Sequence, residues 1–417
     1  MKIKSGFLTV SAVLISLILN PLALIPSSQA QSEVRVRKIV VFKTDGINDQ
    51  AKENIIGKSG GLKIKNLNLI NGKAVLLSQK AENQLEKNSN VLRIDDDIII
   101  EALDKSITVE AVDKIVNLGV SVKLGKTVPV VKQTLPWGID KVDAEKVWNI
   151  TTGDPIKVEV LDTGIEITHP DLKNNIKGGI NTRENNANYN DDNGHGTHVA
   201  GIIAAENNTI GVVGIGPNID LYAVKALSKY GSGYLSDIIE GLDWAIANGM
   251  QVVNMSIGTT VYNKSFEDAV KRVYAAGIIQ VAAAGNSGSK DNTVNYPAKF
   301  AEVIAVSATD TKDKIAYFSS RGPEIDLAAP GYQIYSTYKG ATYKTLSGTS
   351  MASPHVAGAA ALVLTMPIGS YDLDGDAIWD PIEVQNKLEA TAKDLGVIGK
   401  DNLYGAGLLN VERAINN

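Results

Sequence analysis

Three short stretches carry the residue types that hydrolytic chemistry requires. Val160-Leu-Asp162-Thr-Gly164 closes an apolar run with a carboxylate. Asn193-Gly-His195-Gly-Thr-His-Val-Ala-Gly201 offers two imidazoles, and Gly348-Thr-Ser-Met-Ala-Ser-Pro-His-Val-Ala-Gly358 offers two serine hydroxyls. A serine hydroxyl is a weak nucleophile at neutral pH, so a base must take its proton as it attacks. A buried acceptor must in turn hold that base in one tautomer. The chain has only four histidines, at 169, 195, 198 and 355, so candidates for the base are few. His195 and His198 lie three apart, which is also a two-histidine metal spacing. The stretch lacks the Glu of a zinc-protease helix, however, and no third ligand is evident.

The three stretches, in the order Asp, His, Ser, resemble the signature segments of subtilisin-like serine proteases almost residue for residue. The resemblance covers 133–417 closely and 34–103 loosely. It implies Ser350 as nucleophile, His195 as base and Asp162 as the acid that orients it, with Ser353 discarded. It implies the amide of Asn286, in Ala282-Ala-Ala-Gly-Asn-Ser-Gly288, as an oxyanion donor beside the Ser350 N–H at a helix N-terminus. His169, His198 and His355 are then structural. Pro354 is expected to sit in the first helical turn, where its missing donor costs nothing. A secreted endopeptidase acting through an acyl-enzyme follows. Loss of a triad member would instead favour a non-catalytic binding protein, and none is missing.

The same resemblance implies a groove and one calcium site, and the acid spacing of an insertion outside the resemblance points to a second or, as the alternative, to an acidic surface loop capping the 383–393 helix. Gly231-Ser232-Gly233 and Ser256-Ile257-Gly258 match the segments that hold a peptide as a strand between them. Ile257–Gly258 and Ala283–Gly285, with Ala284 between, wall the first pocket. Asn295 falls at its floor, where the family commonly carries a small residue, so a shallower and more polar pocket is expected. Tyr296-Pro297 is expected to be cis. For a first calcium, Gln133, Asp171 and Asn208 supply side chains, and Glu206, Ile210 and Val212 supply carbonyls, around Asn207-Asn-Thr-Ile-Gly-Val212. For a second, Asp372, Asp374, Asp376, Asp380 and Glu383 fall at positions 1, 3, 5, 9 and 12 of a loop, with the Ile378 carbonyl at position 7. That insertion departs from the calcium-loop pattern at position 6, where Ala377 replaces glycine.

These residues need elements to position them. Apolar runs at Ile156–Leu161, Leu221–Ala226, Gln251–Ile257, Ile278–Ala284 and Glu302–Val306 alternate with helical stretches at 195–206, 234–248, 265–276, 350–366 and 383–393. Continuous apolar strands between helices mean strands buried on both faces, hence a three-layer, doubly wound, mostly parallel α/β sheet. In such sheets sites collect at the carboxyl ends of strands, where Asp162 falls.

Upstream, residues 31–103 read as a small α+β unit in the order β-α-β-β-α-β, the ferredoxin-like arrangement. Leu62–Ile70 and Lys73–Leu77 pair across Asn71-Gly72, and Asp97–Glu101 is the last strand. The unit resembles an inhibitory propeptide, which makes it the chain's own partner, inhibitor and folding aid. Residues 104–132 read as a linker with a processing region. Lys2, Lys4, the apolar run from Phe7 and Ser28-Gln-Ala30 read as a signal peptide over 1–30. The full chain of 417 residues is 44% hydrophobic and 21% charged, with net charge −5 and no cysteine. Disulfides, thiolate metal sites and a Cys nucleophile are excluded, and nothing implies a nucleic-acid partner. A monomer without a membrane anchor, acting on protein or peptide substrates, is expected.

Overall fold

The computed structural model describes residues 34–43, 46–104 and 132–417. The leader read over 1–30 and nearly all of the linker lie outside them. The first sheet is built from period-two strands. β1 (Val36–Phe42), β2 (Leu62–Leu67), β3 (Gly72–Leu77) and β4 (Val91–Asp96) pair antiparallel in the order β2-β3-β1-β4. Helices α1 (Asp49–Lys58) and α2 (Gln79–Leu85) start at side-chain caps, Asn48 and Ser78, which accept from Ala51 N and Ala81 N. Val40, Phe42, Val75 and Leu77 pack with Ile56, Ala81 and Leu85. Ile39, Val41, Leu67 and Ala74 belong to a different apolar cluster, shared with the larger sheet's helices.

Two expectations change here. The strand expected over 62–70 ends at Leu67, and a 3-10 turn over Asn68–Ile70 leads to Asn71 at φ 54°, a left-handed value Asn tolerates. The strand expected over Asp97–Glu101 is divided. β4 closes the first sheet before it, and β5 (Ile99–Ala102) leaves that sheet to pair elsewhere. Asp97 breaks the run because its carboxylate is consumed at a helix end, described below.

After α3 (Trp137–Lys141), the chain alternates β6 (Lys157–Asp162), β7 (Ile176–Asn181), α4 (His195–Ala204), β8 (Asp220–Lys225), β9 (Ser232–Tyr234), α5 (Leu235–Ala247), β10 (Val252–Met255) and β11 (Ile257–Gly258). It continues through α6 (Lys264–Ala275), β12 (Ile279–Ala283), β13 (Ile304–Thr309), β14 (Leu327–Pro330), the hairpin β15 (Ile334–Tyr338) and β16 (Thr342–Leu346), α7 (Thr349–Leu364), α8 (Pro381–Thr391) and α9 (Val411–Asn416). Seven strands form one sheet, β14-β13-β12-β10-β6-β8-β7, and every pairing is parallel. Helices α4 and α7 pack in one apolar cluster with one face, and α5 and α6 in another with the opposite face. This is the expected three-layer α/β fold. The sequence pattern missed β7 because Gly178-Gly179 dilutes its apolar signal. Gly179 is required there, since a Cβ would lie 2.1 Å from the Ala223 carbonyl oxygen.

β6 carries one residue at odds with this core. Glu159 pairs in register with Val253 and Tyr222, is fully buried, and neither carboxyl oxygen has a partner among the described residues. Burial pushes its pKa well above the ordinary carboxylate range. A folded pKa above the unfolded one means the penalty is smallest below the unfolded value. It then grows as pH rises toward the folded value. Glu159→Met, placed in a Ser350→Ala background, is therefore expected to raise the melting temperature, and by more at pH 8 than at pH 4. An unsatisfied buried polar group costs about 1–3 kcal/mol, which corresponds to a rise of about 2–6 °C at pH 8. A lower melting temperature at pH 8 would show that Glu159 is stabilising.

Candidate active site

The parallel sheet brings three element ends together. β6 ends at Asp162, α4 begins at His195, and Ser350 is the second residue of α7. His195 Nδ1 donates to Asp162 Oδ1 and Oδ2 at 2.8 and 2.9 Å, and both residues are buried. Thr163 N also donates to Asp162, at 2.6 Å. A residue not anticipated, Asp191, fixes the start of α4. It accepts from Asn193 N, Gly194 N, Thr197 N and Thr197 Oγ1. The signal was present in Asp191-Asp-Asn-Gly-His195, an acidic side chain just before a helix.

The Ser350 hydroxyl is not hydrogen-bonded to His195. It bonds to the carbonyl oxygens of Leu103 and, at 3.0 Å, Ser256, while His195 Nε2 has no partner among the described residues. Asn286 Nδ2 donates to the same Leu103 oxygen at 2.7 Å. Asn286 is itself held by Thr349, whose N and Oγ1 donate to Asn286 Oδ1 at 3.0 and 3.1 Å. The Leu103 carbonyl thus meets a hydroxyl and a preset amide donor at once. Gly348 allows this approach, since a Cβ there would lie 2.6 Å from that oxygen.

Pro354 is not in the first turn. It is the sixth residue of α7, so its absent N–H leaves the Ser350 carbonyl without the usual helical donor. Ser256 Oγ donates to that carbonyl at 2.9 Å instead. Asn254 Nδ2 donates to Ser256 Oγ at 3.0 Å, and Ser353 Oγ to Asn254 Oδ1 at 2.7 Å. Ser353 is therefore a strut between α7 and β10.

β5 lies between the two segments expected to form the groove. β5 runs antiparallel to both β9 and β11, with Ile100 opposite Gly233, Glu101 opposite Ser232 and Gly258, and Ala102 opposite Ile257. Ala102 N donates to Gly231 O at 2.8 Å and Leu103 N to Ser256 O at 3.2 Å. Asn295 N donates to Ala284 O, which ties the pocket floor to the wall ending at Gly285, and Tyr296-Pro297 is cis. The carbonyl held by Ser350 and Asn286 is thus the chain's own, that of Leu103, which nothing in the residue types foretold.

The other histidines take backbone partners. His169 bonds Thr342 O, His198 bonds Ile334 O and Lys344 O, and His355 bonds Met351 O. The six residues of the first candidate calcium set converge. Gln133 Nε2 donates to Glu206 O at 2.8 Å and Val212 O at 3.3 Å, Asn208 Nδ2 donates to Asp171 Oδ1, and Ile210 N donates to Asn208 Oδ1. In the second set, oxygens of Asp372, Asp374 and Asp376 lie within 4.8 Å of one another. Ala377 takes the left-handed turn that glycine was missed for, at φ 61°. Asp380 caps α8, and both Glu383 oxygens accept backbone N–H groups, from Leu373 and Asp380.

Burial opposes charge on His195, but Asp162, with Asp104 and Asp191, outweighs it and lifts the pKa to about 9. Burial drives His198 down to about 3 and His355 to about 4. The raised His195 value means its stabilisation is full below the unfolded pKa near 6.5 and is lost as pH rises toward 9. In the Ser350→Ala precursor, NMR should therefore show one imidazole titrating near pH 9. Adding Asp162→Asn should move it to lower pH. An unmoved midpoint would mean that Asp162 does not set it.

Residues 153–407 match the Subtilase family. The chain is 48% identical over 288 residues to the alkaline protease of Alkalihalobacillus alcalophilus, covering 69% of this chain and 71% of that one. It is 48% identical over 283 residues to subtilisin Savinase of Lederbergia lenta, covering 68% and 99%. It is 38% identical over 396 residues to subtilisin E of Bacillus subtilis strain 168, covering 93% of each.

Proposed function

The chain belongs to the subtilase family of serine endopeptidases, and from that premise we propose that it is a secreted, calcium-stabilised protease made as a self-processing precursor. The observation that carries the reading is the Leu103 carbonyl, bonded at once by Ser350 and Asn286. In the proposed reaction Ser350 Oγ attacks the Leu103 carbonyl carbon while His195 Nε2 takes the hydroxyl proton. Asp162 keeps the opposite ring nitrogen protonated, and Asn286 Nδ2 stabilises the oxyanion that forms. His195 then gives its proton to the Asp104 nitrogen, which leaves, and Leu103 remains as an acyl ester on Ser350. Water, deprotonated by the same imidazole, releases the Leu103 carboxylate and restores Ser350. Protein substrates follow the same path in the groove that β5 vacates.

The segment ending at Leu103 is the proposed propeptide. It is anchored away from the bond by acids placed at helix starts. Asp97 accepts from Ser236 N at 2.8 Å and Ser236 Oγ at 2.9 Å, in the first turn of α5. Asp95 accepts from Ser265 Oγ at the start of α6, and Arg93 pairs with Asp268 at 2.7 Å. Anions at helix N-termini are favoured by the unpaired N–H groups there. Secretion rests on the 1–30 leader pattern. No helix among the described residues is long and apolar enough to cross a membrane.

Calcium fits both oxygen sets by donor chemistry, since carbonyls and carboxylates are what this hard cation takes. At the first, Gln133, Asp171 and Asn208 with the Glu206, Ile210 and Val212 carbonyls would hold it. The Glu206 and Val212 carbonyls already meet at one polar atom. At the second, Asp372, Asp374 and Asp376, whose oxygens cluster, would hold it and have their mutual repulsion offset, while Asp380 and Glu383, expected in the same set, serve the start of α8. Bound calcium neutralises these oxygens and fixes the loops.

Two outcomes test this function. Wild-type precursor should release a fragment ending at Leu103 and a product whose first residue is Asp104, by intact mass and N-terminal sequencing. Ser350→Ala should stay whole. Wild type that stays whole and inert while folded would overturn self-processing. The Ser350→Ala precursor should also bind two calcium ions per chain by calorimetry, and one after Asp374→Asn with Asp376→Asn. Chelator should lower its melting temperature by several degrees. Absence of any bound calcium would remove the ion from the account.

A further inference from the structure

One buried cation beside the candidate triad has no part in the proposed reaction. Lys225 ends β8 and lies opposite Asp162 in the parallel register with β6. It is only 4% exposed. A lysine taken out of water is costly unless its ammonium is paired and hydrogen-bonded. An apolar residue would serve this strand end better if packing were its only task. The Lys225 Nζ donates to the Thr163 carbonyl oxygen at 2.7 Å and to Asp192 Oδ1 at 2.6 Å.

Those two acceptors belong to the loops that carry the acid and the base. Thr163 follows Asp162, and its N–H, hydroxyl and carbonyl are all held. The N–H donates to Asp162 Oδ1, Oγ1 accepts from Gly196 N at 2.9 Å in the first turn of α4, and the carbonyl accepts from Lys225. Asp192 lies in the short loop before His195. The residue between them in that loop, Asn193, accepts from His195 N through Oδ1 at 3.0 Å. Lys339, in the β15–β16 turn, donates to the Asp192 main-chain oxygen at 2.8 Å and steadies the same loop from its other side. Just past Lys225, Ala226 N and Leu227 N both donate to the Asp162 main-chain oxygen at 3.0 Å. The end of β8 therefore fixes the Asp162 main chain by its backbone, and the two flanking loops by its last side chain.

We propose that Lys225 is a positioning residue for the Asp162–His195 pair, its ammonium clamping the loop after the acid to the loop before the base. This rests on the protease reading above and adds a residue to the same site. The two loops meet closely: a Cβ built on Gly196 would lie 2.2 Å from the Gly164 carbonyl oxygen and 3.2 Å from Asp162 Oδ1. A slight opening between them turns the carboxylate away from His195 Nδ1. Misplacing a reacting group by about 1 Å costs on the order of 10²-fold in rate. Neither bond of Nζ involves β9 or β11, so peptide binding in the groove is left in place.

The test compares wild type with Lys225→Met, Lys225→Arg and Asp192→Ala. In the full Ser350→Ala chain, the His195 Nδ1 proton bonded to Asp162 gives a low-field NMR signal. Lys225→Met should shift or broaden that signal, and Lys225→Arg, which keeps the charge and the donors, should bring it back. In chains that keep Ser350, hydrolysis of Ile-Glu-Ala-Leu-p-nitroanilide, matching Ile100–Leu103, is followed after processing. Lys225→Met should lose about tenfold to a hundredfold in kcat with KM within about twofold, the pattern of a group that aligns rather than binds. Lys225→Arg should recover most of that loss. Asp192→Ala, at a side chain 51% exposed, removes one half of the clamp and should lose less. Adding it to Lys225→Met should cost little more, because both act through one contact. A kcat within about twofold of wild type in Lys225→Met, or a loss that falls on KM instead, would overturn the positioning role. So would a His195 signal that stays in place. If Lys225→Met does not fold, by the melting curve of its Ser350→Ala form, Asp192→Ala decides on the same readouts. Failure of wild type to cleave the peptide would instead count against the protease reading itself.

Discussion

One carbonyl governs how the site is built. Proline at 354 cannot donate to the Ser350 oxygen, and a helix that must start at a nucleophile is left with an open acceptor in its first turns. Ser256 fills that vacancy with its hydroxyl, and the Ser256 main-chain oxygen faces the Ser350 side chain and the Leu103 N–H. One residue therefore joins the nucleophile helix, the peptide groove and, through Asn254, the centre of the sheet. The missing donor converts an ordinary helical bond into a tertiary one. That tertiary bond fixes Ser350 relative to Leu103 at the end of β5, and on the proposed reading this is what catalysis by positioning needs.

The N-terminal sheet shows the same economy at larger scale. Its one face is covered by its own two helices, and its other apolar face, with Ile39, Val41, Leu67 and Ala74, is covered by the α5 and α6 side of the protease layer. A small sheet that leaves one face bare lacks the buried area to order itself. The partner helices have a matching need, because the first turn of α5 carries the Ser236 N–H that Asp97 serves and the start of α6 carries the Ser265 hydroxyl that Asp95 accepts from. Asn263, at the start of α6, donates to the Asp96 carbonyl. Each side thus supplies what the other lacks, apolar cover in one direction and caps in the other.

Residue types narrowed the chemistry, since the chain has four histidines and no cysteine, but it was the motif resemblance that picked out Asp162, His195, Ser350 and Asn286. A parallel sheet was legible because strands covered on both faces must be apolar throughout. What escaped the pattern was held by main chain or by shape. Leu103 reaches the site through strand pairing, which any sequence can make. β7 was hidden by glycines chosen for close approach to Ala223. Asp97 looked like the first residue of a strand, when its carboxylate serves a helix far along the chain. Pro354 was placed one turn too early, and only the helix boundary reveals that its missing donor matters. Glu159 gave no signal, because a buried acid without a partner has no positive reason to be there that a sequence could display.

The arrangement of contacts explains how one segment can be substrate first and inhibitor afterwards, on the proposed reading. β5 pairs through residues 99–102, the Leu103 carbonyl meets Ser350 and Asn286, and the cap and salt bridges to the protease layer come from residues 65–97. All of them lie on the N-terminal side of the Leu103–Asp104 bond. Cutting that bond removes none of them, whereas it frees Asp104 to depart with the chain that follows. The new carboxylate at Leu103 remains beside the Asn286 amide, a donor suited to negative charge. An ordinary peptide shares only the β5-like contacts and is released once cut. The propeptide has the helix caps and the second sheet face besides, so the same groove turns over one and retains the other.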